Sequence, residues 1–174
     1  MLETTFYHGI LQKYVVLFGT LFNDIWINRT DTDGNVTDSL KVPISYSPQE
    51  KMLARIEGIL DTNEDTMTQE VAAILPRLGF EITGFTYASE RKLKTLQRFT
   101  KKDNSDADVR DYIYDPVPYD INFTLSIFVK NTTDGTQIIE QILPYFTPEW
   151  TAQVEIVPGL DTTMDIPVVL QDIS

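Results

Sequence analysis

Hydrophobic residues between positions 117 and 130 recur at every second position, and mostly polar residues separate them, with Phe128 as the exception. The apolar set comprises Tyr119, Ile121, Phe123, Leu125, Ile127 and Val129. A period of two is typical of a strand that buries one face. After a polar break the apolar spacing becomes helical, which predicts a helix over 134–146. Because a helix interior needs backbone donors that proline lacks, this helix should end near Pro144.

Two further helices are predicted, near 7–21 and 48–60. The first has a wide apolar face and few polar residues, which favours a deeply buried core helix over one that also packs on a neighbouring subunit. The second begins with a capping arrangement, in which Ser47 can cap, Pro48 occupies the first turn and Glu50 follows. Its predicted buried face comprises Met52, Leu53, Ile56, Ile59 and Leu60.

Alternation also predicts strands over 24–30 and 38–46, joined by an Asp-Gly turn into a hairpin. Pro43 interrupts the second of these strands, and since it cannot donate to a ladder it indicates an edge position or a bulge. Further strands are predicted at 78–88, 151–157 and 165–173. Polar loops fill 61–70 and 101 to about 111.

These elements predict an α+β protein with a mixed, mainly antiparallel sheet flanked by about three helices. The length of 174 residues fits a single domain over 1–174. A continuous strand over 117–130 would span roughly 45 Å at about 3.3 Å per residue. Because that is long for one small domain, we expect long loops or a hairpin that projects.

Composition narrows the function classes. The absence of cysteine excludes disulfides and thiolate metal sites and fits assembly in a cytoplasm. No apolar run is long enough to span a membrane, and the first residues lack the basic region of a signal peptide. The formal charge of −12 argues against a protein that wraps nucleic acid.

Candidate catalytic chemistry is weak. His8 is the single histidine, so neither a histidine metal site nor a Ser-His-Asp triad is supported. The carboxylates of Asp61, Glu64 and Asp65 lie in a predicted exposed loop, whereas catalytic carboxylates need buried surroundings. The sequence therefore predicts no enzyme, no cofactor and no metal ligands. A small metal-dependent enzyme that uses acidic loops stays open as an alternative.

One segment of this acidic chain is basic. It contains Arg91, Lys92, Lys94, Arg98, Lys101 and Lys102. A patch of this kind suits an acidic neighbour, for example the next copy of the same chain, although nucleic-acid contact and a solvated face remain open. Large aromatic residues near predicted element ends are frequent interface anchors. The predicted interface residues are Trp26, Tyr145, Phe146 and Trp150, together with Arg91, Lys92 and Lys94.

Several segments, in order along the chain, resemble the tail sheath stabiliser (tail-completion, tail-terminator) proteins of T4-like contractile-tailed bacteriophages. They are FYHGILQKYVVLFGTLFNDIWINR, KVPISYSPQEKML, AAILPRLGFEITGFTY and LSIFVKNTTDGTQIIEQILPYFTP. Ordered matches over most of a chain are more specific than any single match. No catalytic residues are carried over from this resemblance.

The resemblance implies a structural virion protein that forms a homo-oligomeric, hexameric ring. Such a ring would cap the tail tube protein and the last ring of the tail sheath protein. It would join the tail to the neck proteins, with DNA passing through unbound and no membrane involved. Another neck or head–tail connector protein is the alternative within this class. Family members are expected to continue beyond DIPVVLQDIS, so an end at Ser174 implies a short member or a truncated chain.

Overall fold

A computed structural model describes residues 9–31, 33–60, 75–91, 98–102, 110–114, 117–157 and 162–173. Within them lie three α-helices, and these are α1 (Ile10–Leu21), α2 (Gln49–Leu60) and α3 (Thr132–Ile142). The strands are β1 (Trp26–Thr30), β2 (Val36–Lys41), β3 (Ile44–Tyr46), β4 (Arg77–Tyr87), β5 (Arg98–Lys102), β6 (Arg110–Tyr114), β7 (Tyr119–Phe128), β8 (Glu149–Val157) and β9 (Thr162–Val169). Short 3-10 turns follow β4 and α3, at Ser89–Arg91 and Leu143–Tyr145. The protein is α+β, as predicted.

The described strands form four sheets. β1 and β2 make an antiparallel hairpin, and so do β5 with β6 and β8 with β9. The remaining sheet has the order β3-β4-β7, in which β3 runs parallel to β4. Gly79 lies beside Phe128 and Tyr87 lies beside Tyr119, so β4 and β7 run antiparallel. The mixed, mainly antiparallel character is confirmed, although the strands are divided among separate ladders.

The chain divides into two compact units. Unit 1 comprises residues 1–81 and 125–174, and unit 2 comprises residues 82–124. The boundary between the units falls within β4 and within β7, so both long strands contribute to both units.

The hydrophobic core belongs to unit 1. It is formed by one face of β1, the start of β4 and the inner face of α3, and its buried members are Phe22, Ile25, Ile27, Val42, Leu78, Ile138 and Ile142. The alternation that predicts a strand over 24–30 is confirmed, since Ile25 and Ile27 are buried while Trp26 between them is exposed. In β7 the predicted buried face agrees less well with the observed burial. Tyr119 is exposed, and Phe128, the exception in the pattern, is buried.

The predicted strand over 38–46 is in fact two strands. β2 ends at Lys41, and β3 begins at Ile44 and joins the other sheet beside β4. Pro43 stands at this switch, where it lacks a donor for either ladder but its carbonyl oxygen accepts from the Leu78 amide at 2.9 Å. Proline therefore ends the hairpin rather than marking a bulge within it.

Helix α1 is less buried than its sequence suggests. No residue between Ile10 and Leu21 is buried, and Leu11 and Val16 are 50% and 62% exposed. The prediction of a deeply buried core helix is therefore wrong. Phe18 and Leu21 of this helix pack against the core, and the ring centroids of Phe18 and Phe80 lie 5.1 Å apart. In α2 the predicted Met52 is buried but Leu53 is exposed.

The predicted polar loop at 101 to about 111 overlaps the end of β5 and the start of β6, which pair as a hairpin. Several other predictions fall outside the described residues, namely those for His8, the acidic loop 61–70, Lys92 and Lys94. In the part of the chain that is described, none of the helices is both long and apolar enough to cross a membrane.

Candidate protein interfaces

The outer edge of β1 is closed by two glutamine side chains of α3. Gln141 accepts from the Trp26 amide at 3.2 Å and donates to the Trp26 carbonyl at 2.6 Å. One helical turn earlier, Gln137 accepts from the Asn28 amide at 3.0 Å and donates to the Asn28 carbonyl at 3.2 Å. The amides thus satisfy backbone groups that a neighbouring strand would otherwise pair.

An ion pair extends this contact between α3 and β1. Asp134, which is only 3% exposed, lies in the first turn of α3, and its carboxylate is 3.0 Å from the Arg29 guanidinium. A carboxylate at this position also interacts favourably with the positive end of the helix dipole. Helix α3 is therefore fixed to β1 by polar contacts on successive turns and by Ile138 and Ile142 on its apolar side.

On the opposite edge of the hairpin, the backbone N–H of Ser39 in β2 is also already hydrogen-bonded. Every residue of β2 is exposed. The Ser39 amide donates to the carboxylate of Asp38 at 2.9 Å, and the Ser39 hydroxyl lies 3.0 Å from Asn28 Oδ1 across the hairpin. Charged residues and occupied donors at an edge oppose pairing with another strand. The hairpin is therefore better suited to contacts through its outward face than through its edges.

That outward face forms one wall of an open groove of 540 Å³, here called the Trp26 groove. Its lining residues are Trp26, Asn28, Thr30, Val36, Gln137, Glu140 and Gln141. The indole is 43% exposed, its Nε1 donates to Asp24 at 3.1 Å, and Lys41 Nζ lies 5.9 Å from the ring centroid. An exposed indole held in place by its neighbours is a suitable anchor for a protein partner.

The other predicted aromatic residues of unit 1 have different surroundings. Tyr145 is exposed in the 3-10 turn after α3. Phe146 is half-buried and stacks on Phe22 with ring centroids 6.2 Å apart, so its ring belongs to the margin of the core. Trp150 is half-buried on β8, opposite Val168 of β9.

Unit 2 carries an aromatic face that the interface predictions did not include. Its residues are each about half exposed, and they are Phe85, Tyr87, Val117 and Tyr119. The rings of Tyr87 and Tyr119 lie 5.6 Å apart across β4 and β7. Phe85 has the same parity as Tyr87, so it lies on the same side of the strand. The alternating spacing of Phe85 and Tyr87 is visible in the sequence, but a buried strand face has the same spacing.

Charge also differs between the units. Residues 82–124 contain seven Lys or Arg and seven Asp or Glu, so the formal charge of −12 lies entirely on unit 1. Of the predicted basic interface residues, Arg91 is described, and its guanidinium pairs with the carboxylate of Asp120. Among the predicted interface residues, Arg91 belongs to unit 2, and Trp26, Tyr145, Phe146 and Trp150 belong to unit 1.

Among the described residues, no group of three or more His, Asp or Glu side chains is placed to hold a metal ion. The exposed surfaces above instead combine aromatic rings, amides and single charges, which is the composition of a protein interface.

Comparison with known families identifies the class of protein. The sequence profile of the T4-like virus Myoviridae tail sheath stabiliser family matches residues 5–174. The chain belongs to this family. It is also similar to the tail completion protein gp15 of Enterobacteria phage T4, with 31% identity over 145 residues. The alignment covers 83% of this chain and 52% of that relative, so the chain spans about half the relative's length.

Membership of the tail sheath stabiliser family confirms the resemblance found in the sequence. The family is one of structural phage tail proteins, so this member is a structural protein of a bacteriophage tail rather than an enzyme.

Proposed function

We propose that this protein forms a hexameric ring that caps the tube and sheath of a contractile phage tail. The ring joins the finished tail to the neck of the head, and its place in the virion is the tail–neck junction. Family membership over residues 5–174 is the observation that carries this proposal. The relative's description as a tail completion protein supports it.

The exposed surfaces support an assembly role. Large apolar side chains on the surface of a protein mark contacts with partners when they are grouped. Here they are grouped on the aromatic face of unit 2, and two more, Trp26 and Val36, lie among polar residues in the Trp26 groove. In a cyclic ring each copy uses two different surfaces, one for each neighbour, so two separate patches are what ring closure requires. Further exposed residues then receive the tube, the sheath and the neck proteins.

The acidic balance suits a ring through which DNA passes. Phosphate groups are attracted by Lys and Arg and repelled by carboxylates. With a formal charge of −12, the protein offers DNA no net electrostatic attraction. DNA can therefore move through the ring without being retained by it.

Negative-stain electron microscopy of the purified chain over a range of concentrations tests the proposal. Six-fold rings with an open centre are the expected result. If the free chain stays monomeric, purified tail tubes are added as a template, and rings should then appear at tube ends. Monomers that leave tube ends uncapped at every concentration would overturn the proposal.

A further inference from the structure

We propose that the aromatic face of unit 2 docks in the Trp26 groove of a second copy of this chain. This contact rests on the proposed ring and specifies which surfaces form it. The groove offers an exposed indole and the apolar side chain of Val36, and the aromatic face offers Phe85, Tyr87, Val117 and Tyr119. Aromatic residues that insert between apolar and amide groups are typical of the centre of a protein interface.

Charge favours another copy as the occupant. Unit 1 has a formal charge of −12, whereas unit 2 is neutral and has six Lys or Arg against one Glu between residues 82 and 102. Two copies of unit 1 therefore repel each other, whereas unit 2 carries no net repulsion and its basic stretch is attracted to the acidic unit 1 of another copy. Such a contact joins unlike surfaces, so it propagates from copy to copy and can close a ring.

The polar groups of the groove are compatible with this partner. Glu140 lines the groove, and Asp24 holds the indole nitrogen of Trp26. Both hairpin edges have occupied backbone groups, at Gln137 and Gln141 on β1 and at Asp38 on β2. Docking by strand addition is thus disfavoured, and side-chain contact with the outward face is favoured.

Cysteine crosslinking tests the contact. Because the protein contains no cysteine, only the introduced thiols can react with the crosslinker. One variant carries Glu140→Cys in the groove and another carries Tyr87→Cys on the aromatic face. The two variants are mixed in equal amounts and treated with a short bifunctional maleimide. If the free chain is monomeric, the mixture is first assembled on tail tubes. A pair within one chain cannot form, since each variant has one thiol.

The expected result is a covalent dimer in the mixture and none from either variant alone. The control mixture pairs Tyr87→Cys with Asp165→Cys, an exposed position on β9 outside the groove. Docking raises the local concentration of the two thiols, so the dimer should exceed that control by about tenfold or more.

Four outcomes would overturn the contact. Dimers from Tyr87→Cys alone would show that two aromatic faces meet. Equal yields from the groove and β9 positions would show random collision. Rings that form without any Glu140–Tyr87 dimer would leave the proposed function standing but remove this contact, whereas the absence of both rings and dimers on tail tubes would remove both.

Discussion

Asp134 illustrates how a single residue can connect two elements. Among the described residues it is the only polar or charged residue that is buried. Burial of a carboxylate is unfavourable unless a charge or several donors compensate it. Here the Arg29 guanidinium, 3.0 Å away, and the amino end of α3 both compensate the negative charge. Both interactions depend on the charge of Asp134. Asparagine has nearly the same shape but no charge, so Asp134→Asn tests the contribution of the charge alone.

We expect Asp134→Asn to lower the free energy of unfolding by about 1–2 kcal/mol, since it weakens both the ion pair and the helix-end interaction. Urea denaturation of the full chain measures this difference. Asp165→Asn removes a carboxylate from an exposed position on β9 and serves as the matched control. It should change stability by less than about 0.5 kcal/mol. Equal midpoints for the two variants would contradict the assigned role of Asp134.

At the scale of elements, periodicity identified the helices and most strands because each has a buried and an exposed side. The sequence could not show that Pro43 separates two sheets, since one proline fits an edge, a bulge or a strand end equally well. The β5–β6 hairpin was missed because its residues are mostly charged and polar. The exposure of α1 was missed because apolar composition does not distinguish the core of a protein from a surface that contacts a partner.

The amide contacts of α3 make a residue-resolved prediction. Gln141→Ala should lower the hydrogen-exchange protection of the Trp26 amide by about 3- to 10-fold, as expected for one lost hydrogen bond of average strength. Protection at Asn28 should be retained, and Gln137→Ala should produce the reverse pattern. Exchange monitored by NMR measures both sites.

Two references make that experiment specific. Ile27 directs its backbone groups to the opposite edge of β1, toward β2, so its protection should change in neither variant. Glu140→Ala alters the same helix at an exposed position that makes no contact with the β1 backbone among the described hydrogen bonds. A uniform loss of protection at Trp26, Ile27 and Asn28 would indicate global destabilisation and would contradict the local role of the glutamines.

At the scale of the molecule, the family and the class of function could be predicted from ordered segments of sequence, but the contact surfaces could not. The exposure of Trp26 could be predicted, because alternation places it on the face opposite Ile25 and Ile27. Three further groove residues, Gln137, Glu140 and Gln141, come from a helix more than 100 positions away, which no local pattern connects to β1. Phe85 and Tyr87 have the spacing of core residues, and only their exposed fractions separate them from the core.

A structural role for the whole chain predicts how it responds to divalent metals. A ligand that binds the folded state tightly raises the melting temperature, by an amount that grows with ligand concentration. Because the family is one of structural tail proteins, we expect magnesium and manganese to leave the Tm unchanged relative to EDTA-treated protein. Differential scanning fluorimetry measures the Tm. A sodium chloride series at matched ionic strength is the control for the effect of salt. A saturable rise in Tm with either metal would contradict the structural assignment.

The glutamine contacts between α3 and β1 depend on two repeats that nearly coincide. Four residues of α-helix advance about 6.0 Å, and two residues of strand advance about 6.6–6.8 Å. Gln137 and Gln141 therefore meet alternate residues of β1, but the mismatch grows by about 0.7 Å with each further step. A helix can imitate a strand for only a few steps, and an insertion of one residue between the glutamines would turn the second amide away by about 100°.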